Sequence, residues 1–333
     1  HHINNMQQLG GAEISGIKMH AAIDVTIRRN HIHHCTMGVW CDWEAQGTRI
    51  SQNLLHDNQR PAFAKPLKGG MMSQDIFVEV SHGPTLIDHN ILLSDASLRF
   101  ATQGVAMVHN LICGALTCVG GGTAPRYTPY HMPHRTEVMG FMTFLHGDDR
   151  FYNNIFVQKW PAADFTTLRD YEEGVDSENR VVGTWPFDEY PTFEEWSAQF
   201  DFSKPADMGK LEPVHFGKLP VWSEGNVYLN GAKAWKKEVN GLVVEDSTEV
   251  KVELVEKDGK YYLDTNVYEF LGDFTDRMIN TENLGKAFEP EQYFENPDRT
   301  PITFNTDYFG EHRGVTVIPG PFAEANGWKE REV

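Results

Sequence analysis

The sequence predicts an all-β fold: a right-handed parallel β-helix with coils of about 20–23 residues, then a carboxy-terminal antiparallel, sandwich-like β region. Two observations predict the helix. A unit made of a short apolar strand, a polar pair, an Asn and a second apolar strand recurs, and its Asn residues recur at a regular interval. A third observation predicts the antiparallel region, because alternating apolar residues flank a hairpin turn at Asp258 and Gly259.

The recurring Asn residues set the length of the repeat. They are Asn30, Asn53, Asn90, Asn110 and Asn154, and Asn226 resembles a further member. Their successive separations are 23, 37, 20 and 44 residues, where 37 is one repeat of 23 plus 14 and 44 is two repeats of 22. An Asn at a bend can satisfy backbone groups and stack on the Asn of the next repeat, so we expect a structural ladder.

The same repeat length divides the chain into regions. Residues 1–232 are predicted to form the β-helix, with insertions at 59–72, 114–147 and 160–218, and residues 233–333 the antiparallel region. The last insertion holds one expected short helix at 193–200, because Thr192 followed by Glu195 is a capping box.

Composition excludes several classes of partner. The net charge of -18 argues against nucleic acid or an anionic membrane as the main partner, since both attract basic surfaces. No apolar run approaches the roughly 18 residues of a membrane span. The four cysteines form no CxxC pair and no metal-ligand spacing, so we predict no metal and no cofactor. This cysteine usage favours a reducing compartment, the cytoplasm, without fixing the location.

Two carboxylates occupy the same place in two repeats. Asp42 lies 11 residues before Asn53, and Glu79 lies 11 residues before Asn90. Neighbouring parallel strands are about 4.8 Å apart, so the two carboxyl groups are expected roughly 5 Å apart. That separation is typical of retaining glycosidases, in which one carboxylate is the nucleophile and the other the acid/base.

Alternation predicts which side chains accompany the acids. Val39, Cys41 and Trp43 are expected to face inward, which leaves Trp40 beside Asp42 and Phe77 beside Glu79 on the outer face. An aromatic wall next to two acids suits a sugar ring. The alternative is a pair of solvated surface carboxylates, and the aromatic surroundings argue against it.

Further polar residues are candidates for substrate binding. Arg99 lies 11 residues before Asn110, so it is expected to continue the column of acids, either as a substrate ligand or as a surface salt bridge. The histidine candidates are His20, His82, His131, His134 and His146, each with a turn or packing role as the alternative. His31, His33 and His34 are interpreted as ordinary strand residues.

Several runs resemble glycoside hydrolase family 120. They are residues 16–25, 30–33, 40–50 (WCDWEAQGTRI), 79–84 (EVSHGP) and 147–154. The resemblance implies a retaining, exo-acting β-xylosidase with a parallel β-helix and an associated β-sandwich, and by motif it makes Asp42 the nucleophile and Glu79 the acid/base. Members of the family are about twice as long as this chain, which resembles their later part. An amino-terminal half or a second chain is therefore an expected partner, and the loop at 59–72 is longer than the family implies.

The leading function is thus a glycoside hydrolase of xylan breakdown that releases xylose from the non-reducing end of xylo-oligosaccharides by double displacement. One alternative is a β-helix polysaccharide lyase, which needs Ca²⁺ or a basic cluster to bind uronates. Another is a non-catalytic, carbohydrate-binding β-helix subunit. The choice between xylose and arabinose, and between a monomer and a homo-oligomer, is left open by the sequence.

Overall fold

The computed structural model describes residues 2–3, 13–59, 73–118, 127–159, 181–201, 203–205, 207–324 and 330–333. Nearly all of the insertion at 59–72, the middle of that at 114–147 and the first part of that at 160–218 lie outside the described residues. The α-helices within them are α1 (Phe193–Ser197), α2 (Met208–His215) and α3 (Thr281–Leu284), with single 3-10 turns at Trp185–Phe187 and Val267–Phe270. Helix α1 begins with the predicted capping box of Thr192 and Glu195. None of the described helices is long and apolar enough to cross a bilayer.

Short strands make up most of the remaining structure. In chain order they begin with β1 (His2–Ile3), β2 (Ile17–His20), β3 (Thr26–Arg28), β4 (His31–His33), β5 (Val39–Asp42), β6 (Thr48–Ser51), β7 (Leu54–His56), β8 (Ile76–Glu79), β9 (Thr85–Asp88), β10 (Ile91–Leu92), β11 (Ala96–Ala101), β12 (Val105–Val108) and β13 (Leu111–Ile112). They continue with β14 (Ala115–Cys118), β15 (Tyr127–His131), β16 (Val138–Thr143), β17 (Asp149–Tyr152), β18 (Ile155–Val157), β19 (Val221–Glu224), β20 (Val227–Leu229), β21 (Leu242–Val244), β22 (Val252–Lys257), β23 (Lys260–Thr265), β24 (Asp276–Arg277), β25 (Thr316–Val317) and β26 (Arg331–Glu332).

Most of these strands belong to three parallel sheets. The five-stranded sheet has the order β14-β11-β8-β5-β2, the six-stranded sheet β19-β17-β12-β9-β6-β3, and the eight-stranded sheet β1-β4-β7-β10-β13-β18-β20-β21. Successive triplets such as β2-β3-β4 and β5-β6-β7 visit the three sheets in the same order. The strands of one repeat therefore pair with those of the repeats before and after it.

This architecture corrects the predicted fold class. A single right-handed parallel β-helix is not shown, because the parallel strands divide into three separate sheets and no closed sheet forms among the described residues. A sandwich is not shown either, since the described carboxy-terminal strands form only a three-stranded antiparallel sheet, β22-β23-β26, and the antiparallel pair β24-β25. The physical reason is that an Asn interval reports how often the chain returns to a bend. It does not report how the strands between two bends hydrogen bond.

The three parallel sheets enclose one core. Each contributes alternate apolar residues, such as Val39 from the five-stranded, Ile50 from the six-stranded and Ile32 from the eight-stranded sheet, all with 0% exposure. Their other faces point outward. A strand buried on one face and covered on the other can be apolar on both, which accounts for the runs of buried residues along β8 to β13.

The carboxy-terminal region covers two of the three outer faces. Leu263 and Phe322 pack on Ile91 and Leu111 of the eight-stranded sheet. Another part packs on the six-stranded sheet, with Phe294, Phe304 and Ile302 against Leu86, Ala106 and Val108. The five-stranded sheet has a separate outer cluster, which includes Trp40 and Phe77 and draws nothing from residues 250–322.

The Asn ladder forms as predicted. The side-chain oxygen of Asn90 accepts from the backbone N–H of Asn53 at 3.0 Å and from the Asn53 amide at 2.9 Å, and the same pair of bonds recurs at each step. The ladder runs Asn30, Asn53, Asn90, Asn110, Asn154 and Asn226. Glu238 Oε1 ends it by accepting from the Asn226 amide at 2.9 Å. Each Asn follows a residue with left-handed backbone, such as His89 with φ of 54°, so the bends match the ladder.

Candidate active site

The ends of β5 and β8 place two carboxylates side by side. The two strands pair in parallel with Trp40 opposite Phe77 and Cys41 opposite Val78. The next position along brings Asp42 to the end of β5 and Glu79 to the end of β8, on strands about 4.8 Å apart. This register agrees with the spacing of the two acids from their Asn residues.

Alternation along the strands turns both acids outward. Cys41 and Val78 have 0% exposure in the core between the sheets. Asp42 and Glu79 follow them and therefore point to the outer face. The chain leaves both strands through left-handed residues, Glu44 with φ of 70° and Val80 with φ of 44°. The acids therefore lie where each strand turns away.

Asp42 is buried and paired with a cation. Its Oδ2 contacts Lys18 Nζ, and His20 Nε2 lies 3.9 Å away. Burial alone lowers the pKa of Lys18, but its hydrogen bonds to Asp42 and Glu13 outweigh burial and raise the pKa above its usual value. Lys18 therefore stays protonated and orients the Asp42 carboxylate.

Glu79 is held by an aromatic side chain. Trp40 Nε1 donates to Glu79 Oε2 at 3.0 Å, and the Trp40 ring stacks on Phe77 with centroids 5.4 Å apart. Lys18 Nζ lies 4.4 Å from the Trp40 ring centroid, a cation–π distance. Trp40 thus contacts Glu79 directly and also contacts Lys18, the cation that pairs with Asp42.

The aromatic residues do not form the open wall that the sequence predicts. Trp40 is 4% exposed and Phe77 1%, so both support the acids from below. Trp43, expected inward, joins the outer cluster, because its φ of 21° breaks the alternation after Asp42. Its ring lies edge-on to His20, with centroids 5.9 Å apart, and the His20 side chain is 53% exposed. His20 and Trp43 are therefore the more accessible groups beside Asp42.

Arg99 does not continue the column of acids, so that expectation is wrong. It pairs with Phe77, whereas Ala101 pairs with Glu79. The loop between β11 and β12 is residues 102–104, two residues shorter than the loop 80–84 between β8 and β9. Counting 11 residues back from Asn110 therefore reaches Arg99, two residues before Ala101, the true partner of Glu79. The Arg99 guanidinium lies 5.3 Å from the Phe77 ring centroid instead.

His82 contacts both strands of the hairpin β15-β16. Its Nε2 lies 3.2 Å from the Thr128 carbonyl of β15 and 3.1 Å from the Met142 carbonyl of β16. Burial lowers the pKa of His82 to about 4, so it is neutral near pH 7. Trp43 Nε1 also donates to Thr128 Oγ1 at 3.0 Å. The hairpin β15-β16, from the insertion at 114–147, is thereby bound to the segments that follow both acids.

His134 contacts two carboxylates, and neither of them is Asp42 or Glu79. Its Nδ1 lies 3.0 Å from Asp24 Oδ1 and its Nε2 3.2 Å from Glu295 Oε1, and its side chain is 5% exposed. Both ring nitrogens are thus engaged by carboxylates of other segments. His131 is held through its backbone, which exchanges two 2.9 Å hydrogen bonds with the Gln46 side chain. Neither histidine is brought to Asp42 or Glu79 by these contacts.

Sequence reasoning missed Lys18 and the role of the hairpin. Lys18 lies opposite Trp40 in the register of β2 with β5. That register could have identified it, because a residue two before His20 shares its face. Thr128 carried no such signal, because it belongs to an insertion outside the repeat.

Several clefts lie elsewhere on the described residues. Two have volumes of about 570 Å³, one between β4, β7 and Tyr308, the other between α1, Trp222 and α3. A third, of about 410 Å³, is lined by Arg49, Asp88 and His89. None of these three clefts is lined by Asp42 or Glu79.

Comparison with known structures gives one similar protein. The chain resembles the solved structure of XylC in complex with xylose, with 35% sequence identity and a TM-score of 0.80. The similarity covers 100% of this chain and 47% of the XylC chain, so this chain spans about half of the length of XylC. No family model matches, and no curated protein matches either. The likeness includes the strands that carry Asp42 and Glu79.

Proposed function

We propose that this chain carries the two catalytic carboxylates of a retaining, exo-acting β-xylosidase that releases xylose from xylo-oligosaccharides. The observation that carries the proposal is the register of β5 and β8, which puts Asp42 and Glu79 on adjacent strands of one face. Similarity to a xylose-bound structure supports the substrate class. Membership of glycoside hydrolase family 120 stays a prediction, because no family model matches.

Each carboxylate has a distinct environment that suits its role. Asp42, paired with Lys18, attacks the anomeric carbon while Glu79 gives its proton to the leaving oxygen and the glycosidic bond breaks. Glu79 then takes a proton from water, whose oxygen attacks the same carbon and releases the sugar from Asp42. Two inversions retain the β configuration. His20 and Trp43 are proposed to contact the sugar, with Trp40, Phe77 and Arg99 supporting the acids.

The proposed roles are tested by two substitutions and a control. Asp42→Ala is expected to lose more than 10³-fold in kcat, because it removes the nucleophile. Glu79→Ala is expected to lose far more activity on xylobiose than on an aryl xyloside with a good leaving group, and azide should restore turnover and give a β-xylosyl azide. Glu253→Gln, on an exposed position of β22, is the matched control. Full activity of Asp42→Ala would overturn the assignment.

A trapping experiment tests the retaining course. A 2-deoxy-2-fluoro-β-xyloside with a good leaving group should accumulate a covalent xylosyl-enzyme, and peptide mass spectrometry should place it on Asp42. Label on another carboxylate would contradict the role of Asp42. Product that appears first as α-xylose would contradict retention.

We also propose that residues beyond this chain complete the pocket. The hairpin β15-β16 carries exposed apolar side chains, including Tyr127 at 68% and Phe141 at 64%, which suit burial against another segment or chain. If so, this chain alone hydrolyses xylobiose far more slowly than the assembled enzyme, in which Asp42 and Glu79 are still required. Full activity of the chain alone would contradict this part of the proposal only.

A second candidate is a non-catalytic, carbohydrate-binding subunit. The ion pair of Asp42 with Lys18, with Asp42 only 7% exposed, is also what a structural carboxylate shows. This candidate predicts xylo-oligosaccharide binding without hydrolysis, even in the assembled enzyme, and normal binding by Asp42→Ala.

A further inference from the structure

A histidine cluster lies on the outer face of the eight-stranded sheet. Strands β4 and β7 pair with His31 opposite Leu54 and His33 opposite His56. Ile32 and its partner Leu55, each with 0% exposure, face the core. Alternation therefore sends His31, His33 and His56 to the opposite face.

The three imidazoles converge on one point. One ring nitrogen of each lies within 4.8 Å of the others. His31 Nε2 is 2.7 Å from His56 Nε2, and the rings of His33 and His56 stack with centroids 4.8 Å apart and an interplanar angle of 9°. His33 and His56 are buried and His31 is half-buried.

A neighbouring carboxylate fixes the orientation of one ring. His56 Nδ1 lies 2.6 Å from Asp57 Oδ2, so Nδ1–H donates to the carboxylate and the lone pair is on Nε2. That Nε2 is the atom directed at His31. A carboxylate that holds the far nitrogen of an imidazole is the usual outer partner of a metal-binding histidine.

We propose that His31, His33 and His56 bind a divalent transition-metal ion of the zinc class, with Asp57 as a positioning residue. Three neutral imidazoles suit such ions better than the oxygen-preferring Mg²⁺ or Ca²⁺. Metal–nitrogen bonds of about 2.0–2.1 Å separate tetrahedral ligands by roughly 3.3 Å, so a small opening of the His31–His56 contact accommodates the ion. His31 also lines an open cleft of about 570 Å³, which gives the ion and a water ligand access.

The site is distinct from the proposed active site. Asp42 and Glu79 belong to the five-stranded sheet, whereas the cluster belongs to the eight-stranded sheet. The Tyr261 ring of β23 packs edge-on to His31, with centroids 4.4 Å apart. The ion would therefore stabilise the place where the carboxy-terminal antiparallel sheet meets the parallel sheet, and we assign it a structural role.

Direct metal binding tests the proposal. The purified chain, stripped with a chelator, is titrated with Zn²⁺ by calorimetry and with Co²⁺ by visible absorption. We expect one equivalent to bind and Zn²⁺ to raise the thermal unfolding midpoint. His56→Gln and His31→Gln should each weaken binding by at least tenfold and abolish the shift. His31 is half-buried, so its variant keeps the test valid if His56→Gln fails to fold. Asp57→Asn should weaken binding about tenfold or more without abolishing it.

The matched control is His312→Gln, which removes an exposed imidazole from another part of the chain. It should bind Zn²⁺ as the wild type does. The proposal is overturned if the wild type binds no stoichiometric metal, or if the His31 and His56 variants bind as tightly as His312→Gln.

Discussion

Trp40 links the two carboxylates of the proposed active site although it touches only one of them. Its indole N–H donates to Glu79, and its ring lies beneath the ammonium of Lys18, which in turn holds Asp42. A typical hydrogen bond of this kind contributes about 0.5–1.5 kcal/mol. A single buried ring thus contacts one acid and the cation that pairs with the other.

We expect Trp40→Phe to lower kcat/KM about tenfold or more, because the ring remains while the hydrogen bond to Glu79 is lost. The loss should be larger for xylobiose than for an aryl xyloside with a good leaving group, since only the former depends on the acid. Trp43→Phe is the comparison, because it removes an indole bond to Thr128 instead. Equal losses on both substrates would show that Trp40 acts on something other than Glu79.

Asp75 links stability to pH. Burial raises its pKa to about 7, although hydrogen bonds from Ser94 and Asn58 oppose the rise. Between about pH 4 and pH 7, the Asp75 carboxyl is therefore protonated in the folded state and ionised in the unfolded state. Protonation of Asp75 therefore stabilises the folded state below about pH 4, and this stabilisation is lost as the pH rises to about 7.

We expect Asp75→Asn to remove the titration of this carboxyl from the pH dependence of stability. The free energy of unfolding of the variant should therefore rise relative to that of the wild type as the pH increases from 4 to 7. Each unit of pKa shift is worth about 1.4 kcal/mol. Urea unfolding at several pH values measures it, with Asp258→Asn at the exposed hairpin turn as the control. A difference that does not change with pH would contradict the raised pKa.

At the scale of elements, the Asn ladder sets the register of the three sheets. Asn90 donates to the Ile50 and Asp88 carbonyls and to Asn110, and accepts twice from Asn53. These bonds close the bend between β9 and β10 and connect three successive repeats. The ladder therefore helps to place β8, with Glu79, beside β5, with Asp42.

We expect Asn90→Ala to destabilise the fold by about 2–4 kcal/mol, because it leaves buried backbone groups and a neighbouring amide without partners. Chemical unfolding followed by tryptophan fluorescence measures the change. Asn305→Ala, at an exposed position, should cost less than about 0.5 kcal/mol. A ladder variant as stable as that control would show that strand pairing alone sets the register.

At the scale of the whole molecule, the carboxy-terminal region covers the outer faces of the eight- and six-stranded sheets and leaves the five-stranded sheet to the hairpin β15-β16. Leu263, with 0% exposure, lies in the cluster that joins the antiparallel sheet to Ile91 and Leu111. The outer cluster beside Asp42 and Glu79 therefore contains no residue of 250–322.

Leu263→Ala is expected to cost about 2–5 kcal/mol, because it opens a cavity between the antiparallel sheet and the eight-stranded sheet. Unfolding monitored by fluorescence and by circular dichroism should shift together if the two parts unfold as one. Val243→Ala, at a position 52% exposed on β21, is the control. An unchanged midpoint for Leu263→Ala would show that this packing contributes little.

The sequence by itself determined the repeat, the Asn ladder and the adjacency of Asp42 and Glu79, because those depend on local spacing and on a side-chain period of two. Counting back from the Asn gave the wrong partner at Arg99, because the loop between β11 and β12 is two residues shorter than that between β8 and β9. Tertiary structure alone decided the division into three sheets, since hydrogen-bond partners lie in other repeats. It also decided the contacts of His82 with the hairpin β15-β16 and the contact of His31 with His56. Each of these joins residues that are distant along the chain, and only packing brings them within contact distance.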